Sequence, residues 1–405
     1  MSDPSASSID LLERLIAFDT TSDRSNLALI SFVKEYLASH GVEATLVSSS
    51  CGEKANLYAT IGPLDRPGVM LSGHTDTVPV TGQAWSSDPY RLTVKDQRFY
   101  GRGTADMKGF LATVLAAVPA MCRAELAVPI HLAFSHDEEV GCVGVRSLIE
   151  AMQHFAVKPA FCVVGEPTSM RLATAHKGKR SGRIEITGRA CHSGMAPEGV
   201  NAIEQSAPLI QWFANTAADK ANRGPFDSRF AIPHTTLQLG TITGGVALNI
   251  VPAHCQFDFE LRNVPNENME ALLAPLMLEI ERLDTELKTR HDEAGVALTW
   301  LGDYPGLAMA EQSELVELVL SLLAEPGRER IGFGTEAGLF QQELGIPTLV
   351  CGPGNMAQGH QPDEYITREQ LGRCENFLHR LINALSDADI VTRLDCACHS
   401  LSEIK

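Results

Sequence analysis

The hydrophobic positions change grain along the chain. From Ser8 to Phe18 and from Asn26 to His40 they recur at helical spacing, and Gly41 supplies a natural stop. Short continuous apolar runs follow at Val42 to Val47, Asn56 to Ile61, Val69 to Leu71, Val128 to Phe134 and Ala160 to Val164. Turn residues such as Gly62-Pro63 and Arg66-Pro67-Gly68 separate them, so each run reads as a buried strand. Gly109 to Cys122 reads as a helix of small residues. Strands alternating with helices predict an α/β domain with a mixed, mostly parallel sheet flanked by helices.

The middle has another pattern. Ser181 to Thr187 alternates polar and apolar residues, as a strand with one wet face does. A helix from Asn201 to Ala221, strands at Thr236 to Ile242 and His254 to Leu261, a helix from Asn268 to Thr289 and a strand at Val296 to Leu301 complete the order βαββαβ. That order predicts an α+β domain with helices on one face of an antiparallel sheet. The α/β grain then returns, with a helix at Ser313 to Leu323, a strand at Thr348 to Cys351 and a helix at Arg368 to Leu385. The expectation is a discontinuous domain of 1–178 and 304–405, with 179–303 inserted into it. From Ser386 onward the pattern weakens, and that tail is expected to be peripheral.

Composition narrows the function classes. With 44% hydrophobic and 20% charged residues the chain is an ordinary globular one. Lys and Arg number 33 against 50 Asp and Glu, a net charge of −17 that speaks against nucleic acid or an anionic membrane as partner. No apolar run approaches the ~20 residues of a membrane span. Ten scattered cysteines and no visible signal segment lead us to expect reduced thiols and a cytoplasmic location.

Five polar segments stand close behind predicted strands: Gly73-His74-Thr75-Asp76, Arg102-Gly103-Thr104-Ala105-Asp106, His136-Asp137-Glu138-Glu139, Gly165-Glu166-Pro167 and Gly359-His360-Gln361-Pro362. Taken singly, each is more often a turn or a solvated charge cluster. Together they matter, because ligands of open α/β sheets bind beyond the carboxyl ends of the strands. Two histidines and several carboxylates form a mixed N/O set suited to zinc with an open position. Of the adjacent Glu138 and Glu139, one can bind metal while the other stays free as a base. In the His-x-Asp pair the carboxylate is expected to accept the second ring N–H of the histidine. Neither a G-x-S-x-G elbow, a P-loop nor a dinucleotide fingerprint is present. The histidines at 176, 234 and 254 read as ordinary, and Cys396-Ala397-Cys398-His399 as non-functional.

From the first helix to about Leu385, with these five motifs in order, the chain resembles the two-zinc amidohydrolases. That family includes acetylornithine deacetylase, succinyl-diaminopimelate desuccinylase, aminoacylase and carboxypeptidase G. The resemblance implies two Zn²⁺ (Co²⁺ as a possible substitute): His74 and Glu166 on one, Glu139 and His360 on the other, Asp106 bridging. It implies Glu138 as general base, Asp76 as partner of His74 and a cis peptide after Asp106. The inserted domain would be a lid that pairs two subunits into a homodimer. Gly334-Thr335-Glu336-Ala337 and His360-Gln361-Pro362-Asp363-Glu364-Tyr365 bring the chain nearest the branch that deacetylates N-acetyl-L-ornithine in arginine biosynthesis. One departure is His136, where an aromatic residue is expected.

Read bare, His192 is a surface histidine beside a glycine turn and Arg262 a strand-end charge. The resemblance makes His192 an oxyanion donor to the partner subunit's site, and Arg262 with Asn249 the anchors of a substrate carboxylate. Glu336, at a predicted helix start, is expected either to face the cleft and read the far ammonium of the substrate or merely to favour the helix N-terminus. The alternatives left open are a desuccinylase, an N-acetylcitrulline deacetylase, a general aminoacylase or a metal-binding homologue without catalysis.

Overall fold

The computed structural model describes residues 3–392 and 394. They form two compact units: one runs as far as Ala175 and resumes at Leu307, and the other is His176–Gly306.

The first unit is built on a six-stranded sheet in the order Ala44–Ser48, Ala55–Ile61, Ile130–Ser135, Val69–His74, Phe161–Pro167, Thr348–Gly352. The last four are mutually parallel, and the first two form an antiparallel edge. Val69–His74 and Ile130–Ser135 are buried at every position, as strands covered on both faces must be. One cover is the helix Lys108–Arg123, whose glycine and alanines let it pack closely against the helices Ala6–Ile16 and Arg368–Leu385. Ser5 and Thr367 cap those two helices through their side-chain oxygens.

The predicted elements are present with ends displaced by a few residues, and one displacement matters. The strand expected to stop at Leu71 continues to His74, so the histidine is the last residue of a central strand. The helix Val145–Gln153 went unpredicted, although Val145, Leu148, Ile149 and Met152 carry the i, i+3, i+4, i+7 signal and are buried. A three-stranded sheet of Thr93–Lys95, Arg98–Tyr100 and Tyr365–Thr367 also escaped, because three-residue strands are too short to show a period. It pairs Tyr365 with Tyr100 and so brings the segment after His360 beside the segment leading to Asp106. Beyond Ser386 the chain is not wholly peripheral, since Ile390 and Leu394 are buried. The Cys396-Ala397-Cys398-His399 run lies outside the described residues.

The second unit is an antiparallel sheet in the order Thr236–Gly244, His254–Asn263, Gly178–Thr187, Gly295–Tyr304. Cys255, Phe257, Phe259 and Leu261 alternate into its core with Ile184 and Ile186. There they meet Leu209 and Phe213 of the helix Ala202–Arg223, and Leu276, Ile280 and Leu283 of the helix Met269–Arg290. At ~1.5–3 kcal/mol for each large apolar side chain buried, this packing is the main source of the unit's cohesion. Among the described residues no helix is long and apolar enough to cross a membrane.

Candidate metal centre

The site stands at the carboxyl ends of the parallel strands. His74 ends one and Glu166 is the penultimate residue of its neighbour, so two adjacent strands deliver an imidazole and a carboxylate to the same rim. Gly165 makes the approach possible: a β-carbon there would stand 2.1 Å from the Phe110 ring. His74 is 1% exposed. Its Nδ1 donates to the backbone oxygen of Asp76 at 3.0 Å, which turns Nε2 toward Asp106 Oδ1 at 3.0 Å and Glu166 Oε1 at 3.6 Å.

Asp106 precedes the helix Lys108–Arg123, and the peptide bond after it is cis. Its second oxygen, Oδ2, faces His360 Nε2 at 3.3 Å, and Glu139 Oε2 meets the same nitrogen at 3.0 Å. Asp106 therefore presents one oxygen to each histidine. Ligand atoms of His74, Asp106 and Glu139 lie within 4.8 Å of one another, as do those of His74, Glu138 and Glu166. Atoms ~2.0–2.2 Å from a common ion fall inside that spacing.

The electrostatics favour cations. Burial, then the nearby Asp106, pushes the Glu139 carboxyl up to about 7. Burial first, and neighbouring carboxylates after it, raise Glu138 and Glu166 well above the usual range. Burial would raise Asp106 too, but hydrogen bonds from His360 and His74 outweigh it and hold that carboxyl low. Hydrogen bonds to Asp106 and then Glu139 push His360 up to about 10. Four carboxylates crowded around two imidazoles, without a thiolate, form a donor set that divalent ions relieve of mutual repulsion.

Asp76 departs from expectation. Its carboxylate Oδ1 is 3.6 Å from His74 Nδ1, too long for a hydrogen bond. It instead accepts the backbone N–H groups of Glu138 and Glu139 at 3.1 and 3.2 Å, and the Ser22 hydroxyl at 2.7 Å. The residue thus fixes the turn that carries both glutamates while its own carbonyl fixes the imidazole. Glu336 differs as well. It is 1% exposed, with Ser72 Oγ 3.5 Å from Oε2 and no hydrogen-bond partner for Oε1. Burial pushes its carboxyl up to about 7. So enclosed a group does not stand on an open cleft wall; it sits at the N-terminus of the helix Ala337–Leu344, as the N-cap residue without a side-chain capping bond.

Sequence reasoning gave no role to Glu364, Arg102 or Gln83. Glu364 is buried and accepts from the backbone N–H groups of Gly103, Ala105 and Asp106 at 3.0, 2.9 and 3.1 Å. Arg102 Nη1 donates to it at 2.7 Å, and Nη2 donates to Gln83 Oε1. Gln83 Nε2 in turn donates to the backbone oxygen of His360 at 3.0 Å. His360 has φ +58°, a left-handed backbone rare for a residue with a side chain. One buried ion pair thus holds both the Asp106 loop and the His360 loop. The signal lay in the Asp363-Glu364-Tyr365 run, whose acid sits one residue from a strand.

In the second unit, His192 is exposed, and its Nδ1 accepts the backbone N–H of Gly194 at 3.1 Å, leaving Nε2 as the donor of a neutral ring. Asn249 lies beside it, its carbonyl accepting from Ser193 N at 3.0 Å. Arg262 is already engaged: Nε and Nη2 fork onto Glu260 at 2.8 and 3.3 Å, and Nη1 donates to Tyr304 Oη at 2.7 Å.

Residues 70–384 match peptidase family M20/M25/M40. The chain is 36% identical over 388 residues to an acetylornithine deacetylase of Pasteurella multocida, covering 92% of this chain and 97% of that one. Among solved structures, an M20 family metallo-carboxypeptidase from Sulfolobus solfataricus superposes with a TM-score of 0.76 at 16% identity, over 94% of this chain and all of that one. The Bacillus subtilis YXEP protein, described as a dinuclear metal-binding peptidase of the M20 family, gives 0.64 at 14% identity over 93% and 96%.

Proposed function

The chain belongs to peptidase family M20/M25/M40 and is a metal-dependent amidohydrolase, and from that premise we propose that it cleaves N-acetyl-L-ornithine to L-ornithine and acetate. The observation that carries the reading is Asp106, with one oxygen toward His74 and the other toward His360. His74 and Glu166 would hold one ion, Glu139 and His360 the second, and Asp106 both. The histidine and carboxylate donors suit zinc, with cobalt as a substitute. Bound there, the ions supply Lewis acidity and water acidified from ~15.7 toward ~7.

The chain's own groups do the rest. Glu138 takes the proton of the attacking water at its carboxylate and returns it to the leaving amine. Its raised pKa suits it to both halves of that task. His192 Nε2–H donates to the developing oxyanion in the partner subunit's site. Arg262 and Asn249 receive the substrate carboxylate, for which Arg262 must loosen its fork on Glu260. Support for a homodimer comes from the second unit, where Val246 and Leu248 are 87% and 102% exposed beside the edge strand Thr236–Gly244. All eight described cysteines are free, in keeping with a cytoplasmic enzyme of arginine biosynthesis.

Steady-state rates with N-acetylornithine, N-acetylcitrulline, N-acetylmethionine and succinyl-diaminopimelate, with Zn²⁺ and with Co²⁺, test the substrate. The highest kcat/KM is expected for acetylornithine. A higher value for another compound replaces it as substrate, and tight metal binding without any hydrolysis replaces the enzyme with a binding protein. Mixing His192→Ala with Glu138→Gln subunits should restore activity, because one of the two sites in the hybrid is then intact.

A further inference from the structure

We propose that Cys142 is a positioning residue whose thiol orients the Glu138 carboxylate, an inference that rests on Glu138 being the base. Its Sγ lies 3.2 Å from Glu138 Oε1, and the residue is fully buried. The backbone delivers it there. The N–H groups of Gly141 and Cys142 both donate to the Glu138 carbonyl, at 2.9 and 2.8 Å, and Val143 N donates to the Asp137 carbonyl at 3.1 Å. The turn closes on the main chain of the glutamate, and the thiol closes on its side chain.

Cys142 does this with φ +55°, in the left-handed region where a β-carbon is costly and glycine is not. The residue before it in the same turn, with φ +109°, is Gly141, so glycine stands at the neighbouring left-handed position. At 142 a side chain is kept against that cost, the pattern of a residue retained for what its side chain does. Burial, and then the carboxylate of Glu138, raise the thiol pKa, so the sulfur keeps its proton and donates. With Oε1 occupied, Oε2 is the oxygen left to receive the proton of the attacking water.

The test uses the metal-loaded enzyme, reading kcat, KM, metal content and melting temperature. Cys142→Ala should lower kcat roughly two- to tenfold at unchanged KM and metal content, the effect of one hydrogen bond. Cys142→Ser keeps a donor and should recover most of it. Cys142→Gly relieves the backbone, so it should melt above the alanine variant while its kcat stays low; a purely structural residue would move both together. In a Glu138→Gln background, Cys142→Ala should cost nothing further, because the carboxylate it orients is gone. Wild-type kcat in the alanine variant overturns the proposal. So does a glycine variant whose kcat recovers with its stability, or an equal loss in the Glu138→Gln background. Full turnover by Glu138→Gln alone overturns the assignment of the base, and this proposal with it; that failure shows without any change at Cys142.

Discussion

The two halves of the metal centre are held by different means. His74 and Glu166 come from the ends of adjacent parallel strands and are buried, so the sheet's own hydrogen-bond ladder sets their separation. Glu139 and His360 come from a turn and a loop, and the His360 side chain is 46% exposed. No ladder reaches them. Asp76 fixes the first through backbone N–H groups, and the chain Glu364–Arg102–Gln83 fixes the second through a carbonyl. A strand end is rigid by default, whereas a loop must be given its rigidity by buried polar groups that bond across it.

Glu138 stands between the halves, and its replacement should have the largest effect on rate. Glu138→Gln is expected to lower kcat ~10²–10⁴-fold, with both metal equivalents retained by elemental analysis. Loss of metal in step with activity would make Glu138 a ligand and redraw the division. The halves themselves separate in stability. His74→Ala leaves buried carboxylates without their partner, and breaking such a group costs ~3–5 kcal/mol. His360→Ala, half in solvent, should melt close to wild type and lose about one metal equivalent. Equal destabilisation of the two metal-free variants in thermal melts would abolish the distinction.

A smaller effect is expected at the support. Glu364→Gln should weaken metal binding ~10–100-fold, the usual cost of altering a group that orients a ligand, with the ion at His360 lost first in calorimetric titration. Simultaneous loss of both ions would mean that the ion pair serves the Asp106 loop alone. The smallest effect at neutral pH concerns His131, on the strand beside that of His74. Burial pushes its pKa down to about 4. A depressed value means stability present above ~6.5 and lost as pH falls toward 4. His131→Gln should leave the melting temperature at pH 7 nearly unchanged and flatten its decline between pH 6.5 and 4. An unchanged slope would show that acid acts elsewhere in the sheet.

The same contrast decides what could be read from sequence. Apolar runs end at Leu71, Phe134 and Val164, one to three residues before His74, Ser135 and Glu166, so the strand-borne residues lie close behind the pattern that makes them rigid. Glu139 and His360 were legible only as members of an ordered set of motifs. The Asp363-Glu364-Tyr365 run marked Glu364 but not its pairing with Arg102, since nothing local tells a buried ion pair from two surface charges. Asp76 was found, but with its hydrogen bonds wrongly apportioned: sequence places a carboxylate two residues from a histidine without saying which of its oxygens faces the ring. For Glu336 two readings stood open, a substrate contact or a place at a helix N-terminus, and the burial that bears on the choice depends on packing that no local pattern encodes.

The insertion of one unit within the other has a consequence for synthesis. Thr348 pairs with Cys162, and everything in the second unit is translated between them. At about 5–20 residues per second, a ribosome needs roughly 10–40 s to cover that distance. During that interval the nascent chain holds the strands bearing His74 and Glu166, while the sheet lacks its last strand and the loop that follows it. A chain released early, before His360 is made, carries four of the five proposed ligands, His74, Asp106, Glu139 and Glu166, and lacks the last. The proposed ligand set is therefore completed late and in one step, when the segment after Gly352 has emerged.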